Sequence, residues 1–127
     1  MTLRRWLLVL CLSSAALVTA CASGSSCSDS APLDCANGAC CDANHPFQCG
    51  SRCWITPSVA ADNACTASVV CKSGDATVCY ADWSCGADAQ CASAMGGSRG
   101  LAGPFATSSD CNTWGSQHLP TSQCYCR

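Results

Sequence analysis

Glutamate is absent from this 127-residue sequence, and Lys72 is its only lysine. Charged residues of all kinds make up 11% of the chain, and the formal net charge is −2. Proteins that bind nucleic acid concentrate Lys and Arg on one face or along one helix, and anionic lipid headgroups attract the same kind of basic patch. The shortage of basic residues therefore excludes nucleic acid as a partner and excludes docking on anionic headgroups.

Large apolar side chains are also scarce. From residue 23 onward they number about 16 in roughly 105 residues, and a share below about 20% is typical of disordered chains. The sequence contains 16 Cys instead, about 13% of the chain, which exceeds the roughly 8–10% typical of small disulfide scaffolds. Because each disulfide stabilises a fold by about 2–4 kcal/mol, we expect disulfides to replace the missing core.

The first twenty residues have the pattern of an export signal. Arg4 and Arg5 precede the apolar run Leu7–Val18, which has about 12 residues, whereas a membrane-spanning helix needs roughly 20. A basic segment followed by a short apolar segment is typical of a secretory signal peptide. We therefore predict a signal peptide over residues 1–20 and an oxidising destination for the rest of the chain.

The residues Val18-Thr19-Ala20-Cys21 resemble the lipobox of bacterial lipoproteins. The resemblance implies that Cys21 becomes the first residue and carries a diacylglyceryl thioether and an N-linked acyl chain such as palmitate. Residues 21–26 are rich in Gly and Ser and would form a flexible tether, so the membrane is the expected partner through the lipid anchor. The residue after Cys21 is Ala22 and not Asp, which implies the outer membrane.

Ordinary secretion is the alternative to lipidation. Ala20-Cys21-Ala22 also fits the A-x-A site of the general signal peptidase, and cleavage there would release a protein that begins at Ser23. Either cleavage removes Cys11 and leaves Cys21 outside the folded domain.

Fourteen cysteines remain from Cys27 onward, an even number. Structural zinc sites are typically built on Cys-x2–4-Cys pairs, but the chain has no Cys-x2-Cys, and Cys49-x3-Cys53 is its nearest approach. We therefore predict no metal, no cofactor and seven disulfides. The cysteines predicted to form them are Cys27, Cys35, Cys40, Cys41, Cys49, Cys53, Cys65, Cys71, Cys79, Cys85, Cys91, Cys111, Cys124 and Cys126.

The fold class predicted from these patterns is a small disulfide-rich domain, dominated by loops, with a short hairpin and two or three short helices. The helix predictions rest on capping residues. A Ser or Thr before a helix accepts hydrogen bonds from its first free amides, and a Gly after it allows the last carbonyls to be bonded. The three predicted helices begin at Pro57 after Thr56 as N-cap, span Ala87–Met95 before Gly96-Gly97, and span Thr107–Leu119 with Ser108 as N-cap.

The predicted hairpin joins Thr66–Lys72 to Ala76–Ala81 through a Ser-Gly-Asp turn, because both segments contain β-branched residues. Such a hairpin would tie the two parts of the exported chain into one sheet. We therefore predict one extracytoplasmic region over residues 27–127. Two stapled sub-modules, residues 27–71 and 79–126, are the alternative, since each contains an even number of cysteines.

A match to the nucleophile motif of serine hydrolases occurs at Gly96-Gly97-Ser98-Arg99-Gly100, and Asp110 and His118 follow in the chain order of that family. The motif requires a strand before the serine and a helix after it. The sequence predicts the opposite, a helix before Ser98 and a Gly-rich loop over Gly96–Pro104. We therefore predict that the protein is not an enzyme.

Aromatic side chains are the remaining candidates for a binding surface. In small disulfide-rich domains such side chains usually pack against the disulfides, and we expect this of most of them. Trp83 lies between Asp82 and Ser84, a polar setting that favours exposure. Trp83 and Tyr80 are therefore the candidate surface for a protein or glycan ligand.

These observations predict a lipid-anchored, cysteine-rich, non-enzymatic protein of the cell envelope that serves as a structural or binding module. One alternative is a secreted knotted inhibitor or toxin-like miniprotein, because the order of cysteines around Cys40-Cys41 is similar to that of a cystine knot. A small serine hydrolase is the other alternative.

Overall fold

The computed structural model describes residues 27–127. The predicted signal peptide, the lipobox and Cys21 lie outside the described residues. Within them the chain forms eight short strands and three short helices. In chain order these are β1 (Leu33–Asp34), β2 (Cys40–Cys41), β3 (Phe47–Cys49), β4 (Arg52–Trp54), α1 (Pro57–Asp62), β5 (Val69–Val70), β6 (Cys79–Ser84), α2 (Ala89–Met95), β7 (Arg99–Phe105), α3 (Ser108–Gln117) and β8 (Thr121–Cys126).

Seven disulfides pair all fourteen cysteines of the described region, as predicted. Four close within residues 27–71, which we call the N-terminal half, and three close within residues 79–127, the C-terminal half. The neighbours Cys40 and Cys41 bond to different partners. The pairs are Cys27–Cys40, Cys35–Cys71, Cys41–Cys53, Cys49–Cys65, Cys79–Cys126, Cys85–Cys91 and Cys111–Cys124.

The connectivity of these seven disulfides is not that of a cystine knot. A knot requires three disulfides that each cross the other two along the sequence. In the N-terminal half each disulfide crosses only one other, and in the C-terminal half two short disulfides are nested inside the long one. The knotted arrangement considered for the secreted alternative is therefore wrong for the described chain.

The N-terminal half consists of two small antiparallel sheets, β1–β2 and β4–β3–β5. Its centre is made of sulfur, because Cys35, Cys41 and Cys71 are each at most 2% exposed and pack together. The Sγ atoms of Cys35 and Cys41, which belong to different disulfides, lie 3.4 Å apart. Close packing between disulfides thus replaces the aliphatic core that the composition cannot supply.

The C-terminal half is a three-stranded antiparallel sheet, ordered β7–β6–β8, with helices on one face. Successive side chains of a strand point to opposite faces. Ala81 and Trp83 of β6 therefore lie on one face, where Ala81 packs against Cys111 and Trp114 of α3, and Trp83 packs against Cys91 of α2. The other face points toward the N-terminal half.

The predicted hairpin is wrong. Strand β5 pairs with β3, and β6 pairs with β7 and β8, so the two segments belong to different sheets. The amide of Cys71 donates to the carbonyl of Pro46, and the Cys35–Cys71 disulfide holds the same segment against the N-terminal half. Both edges of β6 are already occupied, so no edge is left for β5.

All three predicted helices are present. Thr56 caps α1 through its hydroxyl, which accepts from the Val59 amide at 3.1 Å, and α2 ends at Gly96, whose φ of +72° is the left-handed conformation that favours glycine. The N-cap of α3 is one residue earlier than predicted. Thr107 has extended backbone and accepts from the Asp110 amide, whereas Ser108 is already helical.

The predicted Gly-rich loop is instead strand β7. A Cβ atom at Gly100 would lie 2.7 Å from the ring of Trp83, so this glycine allows close packing against β6 and does not mark a turn. Glycine inside a strand is typical of such an approach. The sequence prediction failed because it interpreted every glycine of the segment as a loop residue.

The two halves meet through aromatic side chains. Phe47 of β3 is fully buried, and its ring makes edge contacts with Tyr80 and Tyr125 at centroid distances of 5.7 and 5.8 Å. At the far edge the guanidinium of Arg127 donates to the carbonyls of Asp34 and Val70. The disulfides thus divide the chain at the boundary of the predicted sub-modules, while non-covalent contacts join the two parts.

Candidate functional site: a polar cleft between the halves

The sheet face that points toward the N-terminal half is apolar at one end and polar at the other. Strands β6 and β8 pair in register along this face, so each position of β6 has a partner directly across on β8. Phe47 and Val70 cover the apolar end, and the polar end lies opposite α1. From the apolar to the polar end, the cross-strand pairs are Tyr80–Tyr125, Asp82–Gln123 and Ser84–Thr121.

A cleft of about 390 Å³ opens where the polar end faces α1, and we call it the inter-half cleft. This volume is in the lower part of the range of about 300–1,000 Å³ that is typical of small-molecule sites. One wall is provided by Asp82, Ser84, Thr121, Ser122, Gln123 and Tyr125 of the sheet, and the other by Pro57, Ser58, Ala61, Thr66 and Ser68.

Asp82 joins the two walls of the cleft. Its Oδ2 accepts a hydrogen bond from the backbone amide of Ser58, and its Oδ1 accepts one from the Ser58 hydroxyl, both at 2.9 Å. Two bonds to one carboxylate fix its plane. The position of Ser58 is fixed in turn, because it follows Thr56 and Pro57 at the capped start of α1.

Tyr125 lies beside this carboxylate. Partial burial and the negative charge of Asp82 both raise the pKa of the Tyr125 phenol. Burial disfavours the charged phenolate, and the carboxylate repels it. A phenol is protonated at neutral pH even at its ordinary pKa, and the upward shift acts in the same direction, so the Tyr125 hydroxyl can both donate and accept a hydrogen bond. Its ring is half-buried, lines the cleft and contacts Phe47 from the side.

Asp82 is the only charged side chain among the residues that line the cleft. The remaining polar groups are hydroxyls and the amide of Gln123. Arg99 of β7 lies on the same sheet face, directly across from Ser84 of β6, and forms an ion pair with Asp62 at the end of α1. The electrostatic character of the cleft is therefore weakly acidic and rich in neutral hydrogen-bonding groups.

Ser68 supplies a second polar feature at the cleft. Its hydroxyl oxygen is buried and has no hydrogen-bond partner among the described residues. A buried hydroxyl without a partner typically costs about 1–3 kcal/mol. Most buried polar side-chain atoms in native structures have a hydrogen-bond partner, and the unpartnered hydroxyl of Ser68 borders the cleft.

The two aromatic residues predicted to form a binding surface do not form one. Trp83 and Tyr80 are each only 8% exposed, because Trp83 packs under α2 and Tyr80 packs against Phe47. Neither side chain offers a ring face on which a ligand could stack. The polar neighbours of Trp83 misled the prediction, since in a strand they lie on the opposite face from it.

Sequence reasoning missed the cleft residues Asp82 and Gln123, and it expected Tyr125, like most of the aromatic side chains, to pack in the core. Residues 121–126 read Thr-Ser-Gln-Cys-Tyr-Cys, three polar residues followed by Cys-Tyr-Cys, so they lack the polar–apolar alternation that would mark a strand and place Gln123 and Tyr125 on one face. Nothing in the sequence alone indicates that Asp82 faces Ser58, because that contact depends on how the two halves pack.

Of the residues that match the hydrolase motif, Asp110 and His118 contact side chains close to them in sequence, and Ser98 lies in the wrong order of elements. Ser98 lies between the C-cap of α2 and strand β7, the reverse of the strand–turn–helix order that a nucleophile requires. Asp110 accepts a hydrogen bond from the Thr107 hydroxyl at 2.8 Å. His118 stacks on Trp114 at a centroid distance of 4.2 Å, and its Nδ1 lies 2.7 Å from the Trp114 carbonyl oxygen.

A cluster of sulfur atoms is the one grouping in the described chain with the spacing of metal ligands. The Sγ atoms of Cys35, Cys41 and Cys71 lie within 4.8 Å of one another. Each of them is already in a disulfide, and metal binding requires the thiolate. This cluster is therefore the packed centre of the N-terminal half and not a ligand set.

Comparison with protein-family models, with curated proteins and with solved structures finds no match to this chain. None of the helices within residues 27–127 combines the length and the apolar character that crossing a membrane requires.

Proposed function

We propose that this chain is a lipid-anchored, non-enzymatic binding module of the cell envelope, attached to the outer membrane through Cys21. The lipobox resemblance of Val18-Thr19-Ala20-Cys21 is the observation that carries the proposal. The disulfides support it, because the cysteines from Cys27 onward pair among themselves and none of these bonds needs Cys21 as a partner.

The inter-half cleft supports a binding role over a purely structural one. A structural spacer needs no concave polar surface, whereas ligand sites are typically clefts with a few convergent polar groups. The reversed order of elements around Ser98 supports the non-enzymatic part of the proposal. A secreted protein with the same cleft is the second candidate, and the A-x-A pattern Ala20-Cys21-Ala22 favours it.

Replacing Cys21 with Ser is expected to abolish lipidation. The full chain would be expressed in a bacterium that processes lipoproteins, and the mature protein would be analysed by intact mass and by partitioning into a detergent phase. We expect the wild-type protein to begin at Cys21, to carry acyl chains and to enter the detergent phase, because three buried chains anchor a soluble domain stably.

Cys11→Ser is the matched control, because it removes another cysteine of the leader without altering the lipobox. This variant should be lipidated like the wild type, whereas Cys21→Ser should stay in the aqueous phase. A wild-type mass that corresponds to an unmodified chain beginning at Ser23 would contradict the anchor and support secretion.

A further inference from the structure

We infer that the inter-half cleft binds a neutral saccharide, with Asp82, Gln123 and Tyr125 as the residues that contact it. This inference deepens the proposed binding function by naming the class of ligand. It rests on the cleft geometry and does not depend on lipidation.

The charge of the cleft argues against anionic ligands. Asp82 is the only ionised side chain that lines it, and no Lys, Arg or His lines either wall. A phosphate, sulfate or carboxylate would therefore be repelled by the negative charge of Asp82, and no positive side chain in the lining would offset that repulsion. Outside the lining, the guanidinium of Arg99 is engaged with Asp62, and that of Arg127 donates to the carbonyls of Asp34 and Val70.

The polar groups of the cleft match the hydrogen bonding of sugar hydroxyls. Each oxygen of Asp82 accepts one bond from Ser58, and since a carboxylate offers about four acceptor sites, acceptor capacity remains for a ligand. The exposed amide of Gln123, which lies directly across from Asp82, adds donors and an acceptor. A carboxylate beside an amide can thus engage two neighbouring hydroxyls of one sugar ring.

Tyr125 supplies the apolar contact that a sugar ring also needs. It occupies the next position on the same face of β8 as Gln123, and it is the one aromatic residue that lines the cleft. One face of a pyranose presents C–H groups, which pack against the electron-rich face of an aromatic ring. Recognition of an organic cation typically uses several aromatic faces around the charge, whereas this cleft contains one aromatic side chain.

The test is an NMR titration of the ¹⁵N-labelled mature protein in detergent micelles. The neutral probes are maltotriose, cellotriose and tri-N-acetylchitotriose, and the comparison probes are choline and a trisaccharide of galacturonate. We expect at least one neutral trisaccharide to shift the amide signals of Asp82, Ser84 and residues 121–125, and we expect weaker or no shifts with the charged probes.

Gln123→Ala is expected to weaken that binding roughly five- to tenfold, which is the effect of losing a hydrogen bond to a ligand. Gln117→Ala is the matched control, because Gln117 is an exposed glutamine at the end of α3, on the opposite side of the sheet. This control should bind as the wild type does. The dispersion of the amide spectrum reports whether either variant has altered the fold.

The inference is overturned if none of the three neutral trisaccharides binds, if the shifts lie outside the cleft, if a charged probe binds more tightly, or if Gln123→Ala binds unchanged. The Cys21→Ser protein should bind the same saccharide as the lipidated protein. A failure of lipidation therefore leaves the saccharide result intact, and a failure of saccharide binding leaves the anchor intact.

Discussion

Replacing Cys79 and Cys126 together with Ala is expected to lower the free energy of unfolding by about 4 kcal/mol. The disulfide closes a loop of 47 residues, the longest of the seven, and the loss of chain entropy in the unfolded state grows with the logarithm of loop length. It joins the ends of β6 and β8, next to the reciprocal backbone hydrogen bonds of Val78 and Arg127. Urea denaturation followed by circular dichroism measures the effect.

The matched control is the double replacement of Cys85 and Cys91 with Ala. This disulfide also lies in the C-terminal half and is largely buried, but its loop has only 6 residues. The same entropy relation gives a loss of about 2 kcal/mol. Equal losses for the two pairs, or a larger loss for the short one, would show that loop closure is not how the long disulfide stabilises the chain.

Phe47→Ala is expected to lower the free energy of unfolding by about 3–5 kcal/mol, the range observed when a fully buried aromatic side chain is truncated. Phe47 is 0% exposed and contacts Tyr80 and Tyr125 across the boundary between the halves. Its loss would leave a cavity where one aromatic ring of the N-terminal half meets two of the C-terminal half. Chemical denaturation measures the loss, and the amide signals of Tyr80 and Tyr125 should shift.

Phe105→Ala is the control for this prediction. Phe105 is partly exposed at the end of β7 and packs against Trp114 within the C-terminal half. Its truncation should cost less than that of Phe47 and should leave the signals of the N-terminal half unchanged. If Phe47→Ala cost no more than Phe105→Ala, the two halves would not depend on this aromatic contact.

Local signals were sufficient to predict the helices and the disulfides. The caps at Thr56 and Gly96 involve only residues that are close in sequence. Both can therefore be predicted from the local sequence without knowledge of the fold. The prediction that all fourteen cysteines pair rested on their even count and on the predicted export. The seven individual partners could not be predicted, because each joins segments that only the folded chain brings together.

The strands and the cleft depend on tertiary contacts and were largely missed. Gly100 has the appearance of a loop residue, yet it is required for the approach of β7 to Trp83. Val69 and Val70 were predicted to pair with the next strand along the chain, but they pair with β3. Asp82 belongs to the cleft because it contacts Ser58, which lies 24 residues away in sequence, and no local pattern indicates that contact.

The most direct test of the whole account is reduction of the purified mature protein with excess phosphine reductant in the absence of denaturant. Thiol counting should find almost no free thiol before reduction and fourteen in the described region afterwards. We expect the near-ultraviolet circular dichroism and the dispersion of the amide spectrum to collapse, because the few large apolar side chains cannot offset the entropy of folding. A native spectrum after full reduction, or stoichiometric zinc on free thiolates before it, would contradict the claim that disulfides hold this fold together.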